Sequence, residues 1–430
     1  MERILRDLRA RSRRNHMIKV KPFNALRPTE ALVDKCAALP YDVMSSSEAR
    51  EMVKDNPYSF LRVDRAEINL EKGIDIYSEI VYKTAKEKLD SYEKDGVYIN
   101  DSERKFYFYR QMMGAQSQTG IVGCASVDDY LENRIKKHEF TCADKEIDRI
   151  NHVDTCSAHT GPIFLCYKDS ESLDKIIERE TQATPIYDFV SEDGVRHTVW
   201  QTSSREVDAK IEEDFKALDA LYIADGHHRC ASAVKVGLKR REENKCYTGN
   251  EEFNYFLSVI FPSKTLKILD YNRLLKDLNG HGVEDFLKIV EEKVGKLTKC
   301  EGENPYRPEK KHEVGLYVGK QWYKLEFYPH LCNSERASER LDCAILQNNL
   351  LSPILDIDDP RTSKRIDFAG GIRGLDYLVK RCDEDMQMAI SMHPTSLEDL
   401  MAVADSGDVM PPKSTWFEPK LRSGILIHKF

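Results

Sequence analysis

The segment Leu221–Ala233, with the sequence LYIADGHHRCASA, constrains the fold of this chain more than any other stretch. An apolar run at Leu221–Ala224 predicts a short buried strand that ends at Asp225-Gly226. Small and apolar residues then recur with helical spacing as far as Leu238. A strand, a glycine turn and a helix in this order present the first N–H groups of the helix to an anion. We therefore predict an anion site at the residues Asp225–Arg229.

A second apolar run, Asn254–Phe261, predicts another buried strand after this helix. We expect the two strands and the helix to form a βαβ-like crossover in an open sheet of mixed α/β type. Ligands of such sheets bind at the carboxyl ends of the strands, beside helix N-termini. The predicted anion site lies at such a position.

Three shorter patterns predict local structure. The serines at 45–47, followed by Glu48, are typical of a helix N-cap. Tyr187–Gln201 resembles a hairpin that turns at Asp193-Gly194. Tyr58–Val63 is rich in strand-forming residues and is predicted as a strand.

At 430 residues the chain is too long for one ordinary hydrophobic core. We expect a charged N-terminal arm at 1–16 and a domain at 17–264 that carries the anion site. Alternating strand and helix patterns then predict a smaller C-terminal α/β domain at 265–430. This domain ends in the tail PPKSTWFEPK, whose prolines exclude long regular structure.

A polar cluster between Lys136 and His152 permits two interpretations. It can be a solvated helix with charge pairs along its surface, or it can be the second wall of an active site. In the second interpretation His138, Arg149 and His152 contact the substrate. Glu139, next to His138, is then the candidate general base on a hydroxyl group.

Residue types around the glycine turn suit phosphate chemistry. Arg229 offers two parallel N–H donors to phosphate oxygens, and His227 and His228 add further donors beside the N–H groups at Gly226. Asp225 either orients a histidine or holds Mg²⁺ through water. The candidate catalytic residues are accordingly Glu139, Asp225 and His227.

Neither a Walker-type phosphate loop nor a dinucleotide-binding glycine pattern occurs in the sequence. A nucleotide would therefore bind by another route. In the tail, Lys413, Ser414 and Thr415 are candidates for further phosphate contacts, although a simple C-terminal clasp explains the tail equally well.

Metal and cysteine chemistry are the two rival interpretations. His138, His227, His228 and Asp225 could ligate a transition metal, but adjacent side chains on one turn diverge. Cys230 begins a helix, which lowers a thiol pKa, yet a small residue there more often faces the sheet. The eleven cysteines include no C-x-x-C pair, so reduced thiols are expected rather than disulfides or a zinc ribbon.

Charge and hydropathy exclude some partners. A net charge of −8 argues against a nucleic-acid binder, and no apolar run approaches the roughly 20 residues of a membrane span. The basic N-terminus lacks the apolar core of a signal peptide. We expect a cytoplasmic protein whose partners are a nucleotide and a small hydroxyl metabolite; a homodimer is left open.

The DGHHR motif resembles the phosphate-binding signature of the ParB/sulfiredoxin superfamily, and in particular its free-serine kinase branch. The chain from about Met17 onward also resembles a bacterial and archaeal family of unknown function, sometimes named ParB/SpoOJ-like. The matching segments are KPFNALRP, LPYDV, NPYSFLRV, KKHEFT, DRINH, ADGHHR and MPPKSTWFEPK.

The resemblance implies a ParB/sulfiredoxin-like core and a kinase that phosphorylates the hydroxyl of free serine, using ATP or ADP with Mg²⁺. In the serine kinases a glutamate activates the hydroxyl; its context does not map onto this chain, so Glu139 is our own choice. Sulfiredoxin relatives have a cysteine where this chain has His227, which argues against sulfinic-acid reduction. The alternative is a non-catalytic ParB-like regulator that binds nucleotide or nucleic acid.

Overall fold

The computed structural model describes residues 17–139, 141, 143–302 and 304–430. The predicted arm at 1–16 lies outside the described residues. The chain divides into two compact units: the residues up to Leu266 together with Pro419–Phe430, and Lys267–Glu418. The prediction placed the whole C-terminal segment in the second domain. The structure differs at Pro419–Phe430, because the last strand pairs with strands of the first unit.

The first unit contains thirteen strands, which form a nine-stranded and a four-stranded sheet. They are β1 Val20–Lys21, β2 Ala25–Pro28, β3 Tyr98–Asn100, β4 Tyr107–Met113, β5 Gln116–Ser126, β6 Ile135–Lys136, β7 Ala158–His159, β8 Ile163–Tyr167, β9 Tyr187–Val190, β10 Arg196–Gln201, β11 Leu221–Asp225, β12 Tyr255–Pro262 and β21 Ile427–Lys429. The large sheet has the order β6-β11-β8-β12-β5-β4-β10-β9, with β1 beside β5, and the small sheet has the order β3-β2-β21-β7.

Nine α-helices are described in this unit. They are α1 Val33–Cys36, α2 Ser46–Met52, α3 Leu61–Asp64, α4 Glu79–Lys94, α5 Val127–Leu131, α6 Ala143–Cys156, α7 Glu171–Glu180, α8 Arg205–Lys216 and α9 His227–Glu243. The serine N-cap prediction is confirmed, since Ser45 and Glu48 form a reciprocal capping box at the start of α2. The predicted strand at Tyr58–Val63 is wrong, because part of this segment forms the short helix α3.

The large sheet is mixed, which confirms the α/β class. β11 runs parallel to β6 but antiparallel to β8, and β8 runs parallel to β12. The predicted βαβ crossover is therefore wrong: β8 separates β11 from β12, and these two strands run in opposite directions. An apolar run indicates that a strand is buried, but it carries no information on the neighbour or the direction of that strand.

The core of the first unit explains why β11 and α9 stay together. Leu221 and Ile223 on the strand are fully buried, as are Cys230 and Phe256. Ala233 and Val234 of α9 belong to the same hydrophobic cluster, so the helix packs against the sheet through its small and apolar face. The polar residues at the start of α9 are thereby held at the edge of a rigid sheet.

The second unit contains a six-stranded antiparallel sheet of order β15-β17-β16-β19-β14-β18 and a separate β13–β20 pair. Its strands are β13 Ile268–Leu269, β14 Tyr271–Leu275, β15 Gly295–Lys299, β16 Glu313–Val318, β17 Gln321–Phe327, β18 Ile366–Gly370, β19 Met388–Met392 and β20 Trp416–Phe417. Its α-helices are α10 Val283–Lys293, α11 Asp342–Leu346, α12 Asp376–Glu384 and α13 Leu397–Ser406. None of the helices within the described ranges is long and apolar enough to cross a membrane.

Candidate functional site

The predicted strand, glycine turn and helix at Leu221–Ala233 are confirmed. Gly226 is the N-cap of α9 and has a φ of 89°, a left-handed conformation that glycine adopts without a steric penalty. A β-carbon at this position would also lie 3.2 Å from Nε of Arg229, which folds back over the turn. The first N–H groups of α9 have no acceptor within the helix, so the turn has the geometry of an anion site.

The carboxylate of Asp225 lies at the end of β11 and is held by two donors. Gly226 donates its N–H to Oδ1 at 2.8 Å, and the ammonium of Lys420 lies 3.1 Å from Oδ2. Burial favours the neutral acid, but Lys420 and then Arg229 outweigh it and hold the pKa of Asp225 well below its ordinary value. Asp225 is therefore a carboxylate that positions cations around the turn.

Arg229 extends from the helix start toward a cavity. Its Nη1 donates to the carbonyl of Pro162 at 2.7 Å. The guanidinium has five N–H donors in a planar fork, so this one bond fixes its orientation and leaves capacity for an oxyanion.

Two adjoining cavities in the first unit share Tyr41, Asp64, Arg149 and His152. The smaller cavity brings Arg229 together with Arg149 and His152, three predicted site residues from two distant segments. Its full lining is Tyr41, Asp64, Arg149, His152, Val153, His159, Thr160, Gly161, Ile163, Arg229 and Ser423. The larger cavity has a volume of about 190 Å³ and extends past Asp148 and Glu67.

Arg149 is the main cation of the shared wall. It is 8% exposed, its Nε donates to Oδ2 of Asp148 at 2.8 Å, and its guanidinium lies 4.0 Å from the ring centre of Tyr41. Burial opposes the charge, but Asp148, Tyr41 and Asp64 raise the pKa of Arg149 above its ordinary value. Arg149 is a buried, permanently charged group oriented by an aromatic ring, as in carboxylate- or phosphate-binding sites.

His152 and Asp64 complete the polar part of this wall. Nε2 of His152 lies 3.1 Å from the carbonyl of Val63, whereas its buried Nδ1 has no hydrogen-bond partner among the described residues. Burial, followed by Arg149, lowers the pKa of His152, so the ring is neutral near pH 7. Asp64 is 4% exposed and accepts a hydrogen bond from Thr160 at 2.7 Å.

His138, Glu139 and His227 form a second group beside the turn. The imidazole rings of His138 and His227 meet edge to face with 4.4 Å between their centres, and Oε2 of Glu139 lies 3.6 Å from Nδ1 of His227. Burial lowers the pKa of His138 to about 4, against the opposing effect of Asp225. Burial and then His138 also lower the pKa of His227. Both rings are therefore neutral at physiological pH.

The interpretation of the 136–152 segment as one solvated helix is wrong. It contains the end strand β6 and the helix α6, and Arg149 and His152 are buried on it. His228 is not part of the group that His138, Glu139 and His227 form. Burial opposes the lowered pKa of Glu146, Lys235 and Thr141 are the main groups that lower it, and His228 contributes less.

Lys413, Ser414 and Thr415 belong to the second unit. Ser414 is buried and donates to the carbonyl of Pro411 at 2.5 Å, and Lys413 has a φ of 61°. Both features show a structured tail loop. A role of this loop in phosphate binding stays a prediction.

The sequence interpretation missed Tyr41 and Asp64, which line both cavities. Tyr41 lies in the LPYDV segment, which the resemblance includes, whereas Asp64 lies one residue beyond NPYSFLRV and had no signal of its own. His159 lines the smaller cavity, and its Nδ1 lies 3.1 Å from Nδ1 of His428, whose Nε2 lies 2.9 Å from Glu252. Pairing of β7 with β21 creates this contact, which no local pattern can indicate.

The expectation for Cys230 is confirmed. Its side chain is fully buried in the hydrophobic cluster of the large sheet, and burial raises the pKa of the thiol. A buried neutral thiol is not a nucleophile, so cysteine chemistry at this helix start loses its support.

The site therefore combines a helix start whose geometry suits an anion with a cavity lined by two arginines, within a mixed α/β fold. Comparison with known families places the chain: residues 20–347 match DUF1015, described as a protein of unknown function. The chain belongs to this family. No curated protein matches it.

Several solved structures show a distant likeness. A free serine kinase in complex with AMP is 13% identical, with 70% of this chain and 90% of that chain covered at a TM-score of 0.35. SbnI with a C-terminal truncation from Staphylococcus aureus is 11% identical, with 71% and 87% covered and a TM-score of 0.36. A conserved hypothetical protein from Pyrococcus furiosus is 14% identical, with 70% and 92% covered and a TM-score of 0.34.

Proposed function

We propose that this protein is a small-molecule kinase with a ParB/sulfiredoxin-like core that transfers a phosphoryl group from ATP or ADP to a hydroxyl. Free L-serine is the first candidate acceptor. The observation that carries the proposal is the cavity in which Arg229, from the DGHHR turn, meets Arg149 and His152, from the DRINH segment. The DGHHR motif resembles the signature of the free-serine kinase branch, and both segments are among those that resemble the family of unknown function.

The donor half of the proposed site is the start of α9. The N–H groups at Gly226–His228 and the guanidinium of Arg229 would bind phosphate oxygens. Asp225, with a strongly lowered pKa, keeps Lys420 and Arg229 beside the turn.

The acceptor half is the larger cavity. Pockets for drug-sized ligands measure about 300–1,000 Å³, and this cavity of about 190 Å³ suits a smaller molecule. Arg149 would bind a carboxylate, while Asp64 and Glu67 on the same wall would accept bonds from an ammonium group. A zwitterionic amino acid provides both groups, so we prefer serine to uncharged hydroxyl compounds as the candidate acceptor.

Glu139 lines neither cavity and lies 3.6 Å from His227 beside the turn. As the proposed base it would act on an acceptor hydroxyl that reaches from the larger cavity to the turn. General bases contribute about 10²- to 10⁴-fold in rate. Positioning and charge stabilisation supply most of the rate gain in phosphoryl transfer. We therefore expect a larger loss of activity from changes at Arg229 than from changes at Glu139.

Mg²⁺ would enter with the nucleotide and neutralise developing phosphate charge. Asp225 is one-third exposed and bonded to Lys420 and Gly226, so it fits the role of a direct metal ligand poorly, because Mg²⁺ would compete with the ammonium. We propose instead that Asp225 contacts Mg²⁺ through a water molecule, which leaves its bonds to Lys420 and Gly226 in place.

The test is formation of phosphoserine from ATP or ADP, Mg²⁺ and isotope-labelled serine, followed by mass spectrometry, with a panel of other hydroxyl metabolites alongside. Arg149→Lys should raise the KM for serine at least tenfold, since a point charge replaces a planar fork. The exposed Arg196→Lys is the matched control. Nucleotide binding without turnover of any acceptor would favour the non-catalytic regulator instead.

A further inference from the structure

His138, Glu139 and His227 have the donor set of a transition-metal site. Each offers one ligand atom, and the three atoms lie within 4.8 Å of one another. We propose that these side chains bind a divalent transition metal of the zinc class, with its remaining positions open to water or a phosphate oxygen. This inference rests on the three side chains themselves and not on the proposed kinase activity.

The distances favour a metal over a hydrogen bond. The 3.6 Å between Nδ1 of His227 and Oε2 of Glu139 exceeds the 2.7–3.2 Å of a hydrogen bond. Two ligands about 2.1 Å from a tetrahedral zinc lie about 3.4 Å apart. The observed separation thus needs a change of a few tenths of an ångström. No pair of ligand atoms is more than 4.8 Å apart, so side-chain adjustments of at most about 1.4 Å would bring every pair to that spacing.

The second observation is the environment of His138. Its side chain is 2% exposed, and neither ring nitrogen has a hydrogen-bond partner among the described residues. A buried imidazole without hydrogen-bond partners is unfavourable, and a metal ion would supply the missing partner. Its ring lies edge to face against that of His227, so the unpartnered group belongs to the same cluster that would hold the metal.

Metal ligation requires neutral imidazoles, so each ring would carry its one proton on the nitrogen that does not face the metal. Ligation through Nδ1 of His227 would place the ring proton on Nε2 and end a 3.5 Å contact from the N–H of His138. A contact of this length is weak, so its loss costs little.

This ligand set differs from the one considered from the sequence. His228 is not part of the group, and Asp225 is bonded to Lys420, whereas Glu139 joins the two histidines. Two imidazoles and one carboxylate suit zinc, iron or manganese better than the hard ion Mg²⁺.

The experiment is titration of the chelator-treated full-length protein with Zn²⁺ by calorimetry, and with Co²⁺ by visible absorption spectroscopy. We expect one Zn²⁺ per chain, Co²⁺ bands indicative of mixed nitrogen and oxygen ligation, and no comparable binding of Mg²⁺. Glu139→Gln, at a side chain that is 44% exposed, and His138→Ala should each weaken Zn²⁺ binding at least tenfold. The exposed His330→Ala and Glu132→Gln are matched controls.

Glu139→Gln changes an exposed side chain, so its result stands even if His138→Ala does not fold. No stoichiometric Zn²⁺ binding by the native protein would overturn the proposal. Binding that stays within threefold of native in Glu139→Gln, or in a folded His138→Ala, would overturn it as well. Zinc binding without phosphoserine formation would leave this inference standing and remove the kinase, so the two failures are distinguishable.

Discussion

Replacement of Lys420 by methionine tests how the turn at Asp225 is held together. The ammonium lies 3.1 Å from the carboxylate, and the Lys420 and Asp225 side chains are 14% and 34% exposed. A Coulomb energy at this distance with an effective dielectric constant near 20 is about 5 kcal/mol. Solvent screening at a carboxylate that is one-third exposed, together with the remaining donors Gly226 and Arg229, reduces the expected loss to about 1–3 kcal/mol.

The stability difference between Lys420→Met and the native protein should depend on pH in one direction. The folded-state pKa of Asp225 is lowered, so its contribution to stability is present above the unfolded pKa of about 3.9 and is lost as the pH falls through the folded value. Lys420→Met removes the main group that lowers this pKa. The stability difference between the variant and the native protein should therefore be largest near neutral pH and shrink below about pH 4.

Hydrogen-exchange mass spectrometry of the peptides that cover β11 and the start of α9 measures this difference within one region of the first unit. The matched control is Lys429→Met, which removes an exposed ion pair with Glu93 and should leave exchange at β11 unchanged. Equal protection of Lys420→Met and native protein at neutral pH would refute the reasoning. A difference that persists unchanged at low pH would refute it as well.

Three further predictions concern the same strand and helix. Gly226→Ala should destabilise the first unit by about 1–2 kcal/mol in chemical denaturation, because φ is 89° there. Cys246, which is exposed, should react with iodoacetamide in the native protein, whereas the buried Cys230 should react only after unfolding, as peptide mass spectrometry will show. Because burial lowers the pKa of His138 to about 4, the unfolded chain takes up a proton that the folded protein does not, and stability falls as the pH drops from about 6.5 to 4. Over that pH range, the free energy of unfolding of His138→Gln, measured by urea titration, should therefore fall by up to about 3 kcal/mol less than that of the native protein.

The elements that were predicted correctly are those with local causes. The turn at Gly194, with a φ of 78°, joins β9 and β10 as the Asp193-Gly194 pattern indicates. Gly226 at the start of α9 also has a local cause. A glycine between an apolar run and a segment of helical periodicity indicates a turn from a strand into a helix, because glycine readily adopts the left-handed conformation. Each of these features depends on residues a few positions apart.

The failures concern pairing and distant contacts. β8 lies between β11 and β12 although the sequence order favours direct neighbours, because strand pairing depends on the whole sheet. Asp64 follows a segment that has strand propensity but forms α3, which directs the carboxylate to Thr160. Lys420 reaches Asp225 because the end of the chain returns to the first unit.

The candidate site was predictable in its chemistry but not in its arrangement. Arg149, His152 and Arg229 were expected from their residue types, and the structure brings them to one cavity. The sequence assigned Glu139 to the same place, whereas the structure puts it beside His138 and His227. The directions of the side chains around the start of α9 determine which residues line the cavity and which lie beside His227. The spacing of residues along the chain does not predict these directions.

A crystal structure of the protein with ADP, Mg²⁺ and serine tests the central claim most directly. The account predicts nucleotide phosphates within hydrogen-bond distance of the Gly226–His228 N–H groups and of Arg229, with the serine carboxylate on Arg149. Nucleotide bound elsewhere, or phosphates held without Arg229, would contradict it.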